Sequence, residues 1–470
     1  MALLDWSLSA GLGVAVLVSG LVALGLTPLV IRGTRLYDLV AYPQANRWHQ
    51  VPTPSMGGIA MYGGATLAVG ILLPLSELWA VWGGATLMFV VGGLDDRRTV
   101  RPAVKILTQL MATGLLVRAG YVFGPEWPLW LSLPVTAVWV LGITNATNLL
   151  DNMDGLAAGV VALSASVLTG AGFVVGAHSV VLMGGSVLGA ALGFLYFNFK
   201  PARIFMGDCG SLFLGYLLAA LPLLLQPHLT AFGGAVEVLV PVLALAVPVL
   251  DTTLVSIMRI RAGRSVANGG RDHTSHRLVF RGLSESQAVL FLYGLAGAAG
   301  AWVFVVFVAG EALFCGGAVL IGGMLGAVGI SLGQAEVYQV DEVGGDGAPA
   351  TAQEWRVLVY GTGQGGQRAL QALRRDTEAS RPVGVVTDDP SEQGRDIRGV
   401  QVLGTGDELP RLCRAHDVDA VVVAETLSDP AKARLSRRCE QAGVSWTQIT
   451  AASPVGDQNN SGAVEAVESA

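Results

Sequence analysis

The chain has 470 residues, 52 % of them hydrophobic and 14 % charged, with a mean hydropathy of +0.56 and a formal net charge of −6. This composition points to a membrane protein, and the length predicts more than one domain. Cys209, Cys315, Cys413 and Cys439 are scattered without a CxxC spacing, which argues against a disulfide framework or a zinc site, and no nucleic-acid partner is expected.

Apolar stretches of spanning length fall, in chain order, at 8–31, 57–75, 78–94, 103–120, 128–150, 156–176, 179–197, 211–225, 236–257, 287–309 and 312–332, which predicts about eleven transmembrane helices. The first has Asp5 before it and no basic n-region, so it reads as a transmembrane helix rather than a signal peptide. The fourth is the weakest, because it carries Lys105 and Gln109. Pro241 and Pro248 are placed to kink the ninth. Paired glycines such as Gly57-Gly58, Gly63-Gly64, Gly83-Gly84 and Gly184-Gly185 predict close helix packing.

Alternate loops must lie on opposite sides of the bilayer. Of the sixteen Lys and Arg before residue 334, the odd loops hold fifteen and the even loops hold only Arg118. The positive-inside rule then predicts an N-terminus outside and a C-terminus in the cytoplasm of an inner or plasma membrane protein.

The acids at the membrane edge fall on that same predicted face. GGLDDRR carries Asp95 and Asp96. NATNLLDNMDGLAAG carries Asn148, Asp151 and Asp154. FKPARIFMGDCGS carries Lys200, Arg203 and Asp208. A basic loop between the ninth and tenth spans carries Arg264, Asp272, His273, His276 and Arg277. Carboxylates gathered beside basic groups suit metal-assisted chemistry on phosphates, because hard cations take oxygen ligands and substrate phosphates. Asp151 and Asp154 would share a face if helical, and Gly210-Ser211 is placed to open a helix whose N–H groups face an anion. Taken singly, each piece also reads as a cap, a turn or a solvated loop. Buried acids in a many-span protein also fit a transporter, although they cluster at one edge and no inverted repeat is evident. A third reading is a catalytically inactive anchor for the tail.

After the last span, 333–354 is acidic, Gly- and Ala-rich and aperiodic, and reads as a linker. Residues 355–450 alternate strand and helix patterns, predicting a Rossmann-like α/β domain, and 451–470 reads as a disordered tail. In WRVLVYGTGQGGQRALQALRR, Gly361, Gly363 and Gly366 follow a strand and precede a helix. Asp388 lies where an acid would meet a ribose, so a nucleotide is a candidate cofactor there. A Rossmann-like fold without a cofactor, used for regulation or docking, is the alternative. No redox chemistry is expected.

The four membrane-domain motifs, in order over roughly residues 8–330, resemble the polyprenyl-phosphate N-acetylhexosamine-1-phosphate transferases. The resemblance implies transfer of a sugar phosphate from a UDP-sugar to a membrane polyprenyl phosphate, with release of UMP and with Mg²⁺, or Mn²⁺ in its place. It implies that Asp95 handles the lipid phosphate beside Asp96 and that Asn148 and Asp208 hold the metal. Asp151 and Asp154 would serve the nucleotide sugar or organise the metal, and His273, His276 and Arg277 would face the sugar phosphate. Arg47, His49, Lys200, Arg203 and Arg264 complete the expected substrate-binding set. Ala41 stands where the family carries an acid, with Asp38 three residues earlier, and Ser275 stands at a family histidine position. The short histidine run favours a GlcNAc-type donor. A homodimer and contacts with other envelope-polysaccharide enzymes are further expectations. The tail resembles the nucleotide-binding-like domain attached to sugar-dehydratase and polysaccharide-polymerising proteins.

Overall fold

The computed structural model describes residues 7–37, 39–41, 53–98, 100–261, 272–333, 355–363, 365–366, 369–370, 373, 380–397, 400–424 and 429–448. Arg47, His49, Arg264, most of the predicted linker and the predicted disordered tail lie outside the described residues. The chain divides into two units, Met1–Val337 and Tyr338–Ala470.

The first unit is helical. Its elements are α1 (Leu8–Leu36), a two-residue pair β1 (Val40–Ala41) and β2 (Thr53–Pro54), α2 (Gly58–Leu72), α3 (Leu75–Asp95), α4 (Pro102–Arg118), α5 (Leu129–Leu150), α6 (Leu156–Val175), α7 (His178–Asn198) and α8 (Gly207–Leu229). There follow α9 (Gly234–Ala244), α10 (Ala246–Arg261), the short α11 (Thr274–Phe280), α12 (Glu285–Val303), α13 (Val305–Ala309) and α14 (Glu311–Gly333). Among the described residues, seven helices are long and apolar enough to cross a membrane, or eight if α9 and α10 are one bent span. The chain is therefore a polytopic membrane protein. Each of the eleven sequence-predicted stretches coincides with a helix or a broken helix. The ninth breaks at Leu245, three residues before Pro248, with a bend of 82°. Pro248 has no N–H to give the Ala244 carbonyl and its ring crowds that preceding turn, which accounts for a break at that place.

α8 is the hub. Every residue from Cys209 to Gln226 is buried, and side-chain hydrogen bonds along its length tie it to its neighbours. Tyr216 donates to the Ala112 carbonyl on α4 (3.1 Å), Trp139 of α5 donates to the Ala219 carbonyl (3.0 Å), and Gln226 donates to the Glu237 carbonyl on α9 (2.8 Å). Bonds of this kind satisfy polar groups that lipid cannot. Glycine sets how near the other helices come. A Cβ on Gly58 of α2 would sit 2.2 Å from the Gly210 nitrogen, and one on Gly92 of α3 would sit 2.2 Å from the Asp208 carbonyl oxygen. α1 and α7 meet in the same way, a Cβ on Gly193 falling 2.3 Å from the Gly20 carbonyl oxygen. Small residues thus let backbones touch where the motif segments converge.

The second unit holds β3 (Trp355–Tyr360), β4 (Ser380–Thr387), β5 (Asp396–Ile397), β6 (Val400–Thr405), α15 (Leu409–Ala415), β7 (Ala420–Val423), α16 (Asp429–Ala442) and β8 (Ser445–Gln448). The sheet order is β5-β6-β4-β3-β7-β8, parallel throughout except for the antiparallel β5–β6 edge. Without the β5 edge, the order in the chain is 3-2-1-4-5, that of a doubly wound sheet with its switch point between β3 and β7. Leu358, Val359, Val385, Val386, Val421 and Val422 are fully buried, as strands covered on both faces require.

If backbone contact at α8 sets the fold, Gly92→Ala will destabilise the protein by about 1–3 kcal/mol through overpacking. Gly114→Ala on α4, whose Cβ would meet nothing within 4 Å, will be neutral or stabilising. Thermal unfolding in detergent measures both, and equal midpoints for the two variants would contradict the packing argument.

Candidate active site

α3 ends at Asp95, and Asp96 is its C-cap residue. The two neighbouring carboxylates have different partners. Asp96 reaches across to the first turn of α8, where Oδ1 accepts the Asp208 N–H at 2.7 Å and Oδ2 accepts the Cys209 N–H at 3.0 Å. It supplies the anion that the exposed N–H groups of a helix start attract. Gly207 has φ +74°, and a Cβ there would lie 2.7 Å from Asp96 Oδ2, so glycine is required on both counts. Burial pushes the Asp96 carboxyl above the usual carboxylate range, against the pull of its two N–H donors. The expectation that Gly210-Ser211 opens this helix is corrected. The helix opens at Gly207, and its N–H groups at 208 and 209 face Asp96 because the glycines of α2 and α3 admit its start deep between them.

Asp95 turns the other way. Its Oδ1 accepts the Val100 N–H at 2.6 Å, and its Oδ2 lies 2.5 Å from Lys105 Nζ. The same ammonium lies 2.7 Å from Asp208 Oδ2, and Asp208 Oδ1 accepts from Asn148 Nδ2 at 3.0 Å. Asn148 also donates to Ser211 Oγ at 2.8 Å. Asp95, Lys105, Asn148 and Asp208, from four helices, thus form one bonded cluster. Their side chains remain open to an incoming group: those of Asp95, Lys105 and Asp208 are 16 %, 23 % and 27 % exposed. One turn along α4 from Lys105, Gln109 exchanges hydrogen bonds with Asn145 (2.9 and 3.2 Å). The two residues that made α4 the weakest predicted span are therefore the ones that bind it to its neighbours, Lys105 to the end of α3 and the start of α8 and Gln109 to the polar end of α5.

Asp151 and Asp154 do not share a helix. α5 stops at Leu150, Asp151 is its C-cap, and Asp154 lies in the turn before α6, whose N-cap is Gly155 with φ +78°. This corrects the helical-face expectation, because the left-handed Gly155 forces a turn between the two spans. Asp154 Oδ2 accepts the Ala202 N–H at 2.9 Å, joining this turn to the segment that leads into α8. Lys200 and Arg203 belong to that segment but bond elsewhere. Lys200 pairs with Glu285 at 2.5 Å, and Arg203 lies over the Phe197 ring at 4.6 Å and donates to the Tyr196 carbonyl.

The histidine loop is a second buried cluster. Arg259 makes a bidentate pair with Asp272 (2.8 and 2.6 Å), which holds that carboxylate below the usual range although burial pushes it up. His273 Nδ1 lies 2.7 Å from Asp251 Oδ2. Arg277, read from sequence as facing the sugar phosphate, donates to the carbonyls of Asp272 (2.7 Å) and Leu332 (3.1 Å), which fastens α11 to the end of α14. His273, His276 and Arg277 are each buried. Ser275, at the family histidine position, donates to Asn152 Oδ1 at 2.8 Å and so ties this loop to the turn after α5. Sequence reasoning passed over Asp251 and gave Lys105 no role. The signal for both was a charge inside an otherwise apolar span.

Among the described residues, no three His, Cys, Asp or Glu side chains gather as a metal-binding group. The donors of the first cluster are two carboxylates and a carboxamide, with an ammonium already bridging the carboxylates. Hard oxygen donors in that number fit Mg²⁺, which keeps waters and substrate phosphates in its shell.

In the second unit, Gly361 has φ +113°, space around Gly363 is open, and a Cβ on Gly366 would lie 1.9 Å from the Gly361 carbonyl oxygen. A tight turn with one open glycine is what a phosphate-approaching loop needs. Asp388 accepts from Tyr360, and the Thr362 hydroxyl between the glycines donates to Glu392.

Residues 78–226 match the glycosyl transferase family 4, and residues 348–446 match a CoA-binding domain. The chain is 36 % identical over 293 residues, 60 % of its length and 80 % of the relative's, to a probable undecaprenyl-phosphate N-acetylglucosaminyl 1-phosphate transferase of Bacillus subtilis (strain 168). It is 34 % identical over 307 residues (55 % and 72 %) to a decaprenyl-phosphate N-acetylglucosaminephosphotransferase of Mycolicibacterium smegmatis. It is 33 % identical over 278 residues (52 % and 81 %) to a phospho-N-acetylmuramoyl-pentapeptide-transferase of Moorella thermoacetica.

The two partnerships at the end of α3 differ in cost. Asp96→Ala removes the cap of the most buried helix and will lower stability by about 1–2 kcal/mol. Asp95→Ala removes one side of a partly exposed ion pair whose ammonium keeps Asp208 as a partner, and will cost less than about 1 kcal/mol. Thermal unfolding in detergent compares them, and the reverse order would count against this assignment.

Proposed function

Because this chain belongs to the undecaprenyl- and decaprenyl-phosphate N-acetylglucosamine-1-phosphate transferases of glycosyl transferase family 4, we propose that it moves GlcNAc-1-phosphate from UDP-GlcNAc to a membrane polyprenyl phosphate. UMP is released, and the product is the lipid-linked start of a cell-envelope polysaccharide. The observation that carries the residue assignment is the Asp95–Lys105–Asp208–Asn148 cluster.

A lipid phosphate oxygen attacks the β-phosphorus of the sugar nucleotide. The new phosphorus–oxygen bond forms as the bond to the UMP oxygen breaks. One phosphoanhydride replaces another, so the demand on the protein is to position two anions and offset their charge. Lys105 supplies a fixed positive charge held by two carboxylates. Asp208 and Asn148 would hold Mg²⁺, which when bound neutralises the diphosphate and makes UMP a better leaving group. Asp95 orients Lys105 toward the lipid phosphate. Asp96 holds the start of α8 and so aims Asp208. Asp151 and Asp154 shape the turn beside the nucleotide.

The ends of α3 and α5 and the start of α8 meet in this cluster, which supports placing their loops on one side of the bilayer. With the positive-inside count, that reading has about eleven spans, the N-terminus outside and the C-terminal unit in the cytoplasm of the plasma membrane. The open turn at Gly363 favours a nucleotide on that unit.

Membranes carrying the protein, given labelled UDP-GlcNAc, polyprenyl phosphate and Mg²⁺, are expected to yield labelled lipid and UMP. Asp208→Ala will reduce transfer by at least about 10²-fold, the scale of losing a preorganised charge contact. Transfer that survives this substitution in a folded protein would remove Asp208 from the mechanism.

A further inference from the structure

Asp251 on α10 is only 1 % exposed, and the reaction as described makes no use of it. Both of its oxygens serve the histidine loop. Oδ1 accepts the Thr274 N–H at 2.6 Å, and Oδ2 lies 2.7 Å from His273 Nδ1. A carboxylate accepts only, so the neutral imidazole must carry its hydrogen on Nδ1 and its lone pair on Nε2. Nε2 has no protein partner among the described residues.

The other charged and titratable groups facing this ring do not compete for Nδ1. Asp272 is paired bidentately with Arg259, Arg277 donates to two carbonyls, and the His276 ring centroid lies 6.2 Å away. The loop itself is held from two directions, by Arg277 on the Leu332 carbonyl and by Ser275 on Asn152. Asn152 lies four residues beyond Asn148, so Ser275 ties the histidine loop to the segment just past the helix turn that reaches the Asp208 cluster.

We propose that Asp251 is a positioning residue that locks His273 in the tautomer whose Nε2 accepts a hydrogen bond from a hydroxyl or amide N–H of the sugar nucleotide. This rests on the transferase reading above and adds to it. A lone pair on Nε2 is of no use to an unprotonated phosphate oxygen, which is itself an acceptor. The groups recognised are therefore the donors of the sugar rather than the diphosphate.

Asp251→Asn tests the lock. Its amide oxygen still serves the Thr274 N–H, but its NH₂ donates to Nδ1 and reverses the tautomer. Nitrogen-15 NMR of the histidine-labelled, full-length protein in detergent, with the His273 signals assigned by their loss in His273→Gln, is expected to show protonated Nδ1 in the wild type and protonated Nε2 in Asp251→Asn. In the transfer assay, Asp251→Asn is expected to lower kcat/KM for UDP-GlcNAc by about 10²- to 10³-fold, the scale of losing one preorganised hydrogen bond at a reacting site. The KM for polyprenyl phosphate should stay within about twofold. Protonated Nε2 in the wild type, or a reversed tautomer with undiminished kcat/KM, would overturn the proposal. If Asp251→Asn does not fold, the wild-type spectrum still decides. A wild-type protein that binds UDP-GlcNAc but transfers nothing counts against the transferase reading, and there the tautomer and the affinity of Asp251→Asn for UDP-GlcNAc decide the lock.

Discussion

The Asp96 carboxylate, bonded to the N–H groups of Asp208 and Cys209, is the contact on which the site depends. A helix start carries unpaired donors and a partial positive charge, and burying it among other helices is costly unless an anion meets it. In this molecule the anion comes from the end of α3 rather than from a residue preceding α8. Glycines at 58, 92 and 207 leave the space for that approach. Once α8 is seated, Asp208 on its first turn faces Lys105 and Asn148, and a structural cap becomes the frame of a reactive centre.

From that frame, α5 divides the work. Asn148, on its last turn, serves Asp208, and Asn152, just past its end, serves the histidine loop through Ser275. Two clusters from distant parts of the chain are thereby held by one short segment. The first is partly open and rich in charge, which suits anions arriving from water. The second is buried, with its charged groups paired side by side as a low-dielectric setting demands. The first sits at helix ends, and in the second Asp251, inside α10, meets the His273 ring and the Thr274 N–H, so neither must place an unpaired charge among lipid tails.

Much of this was legible in the sequence. Spanning lengths and proline positions marked the helices, and the polar residues at span ends marked Asp95, Asn148 and Asp208. The partners of those groups were harder to foresee. Paired aspartates read alike, and only the approach of α8 separates Asp96 the cap from Asp95 the partner of Lys105. Lys105 and Gln109 looked like flaws in a span because their complements, Asp208 and Asn145, lie far along the chain. Arg277 read as facing a phosphate, whereas in the structure it donates to the Asp272 carbonyl of its own loop and to the Leu332 carbonyl at the end of α14. A turn at Gly155 likewise undid the helical pairing of Asp151 with Asp154, since spacing alone cannot reveal where a helix stops. Pairwise contacts between remote segments are the information that a single chain read in order lacks.

On the function proposed above, Asp208 and Asn148 would hold one divalent cation. Mn²⁺ binding to the full-length protein in detergent, followed by electron paramagnetic resonance, tests this most directly. One saturable site is expected in the wild type, weakened by about tenfold or more in Asp208→Asn and in Asn148→Ala. Mn²⁺ binding of unchanged affinity in both variants would contradict it.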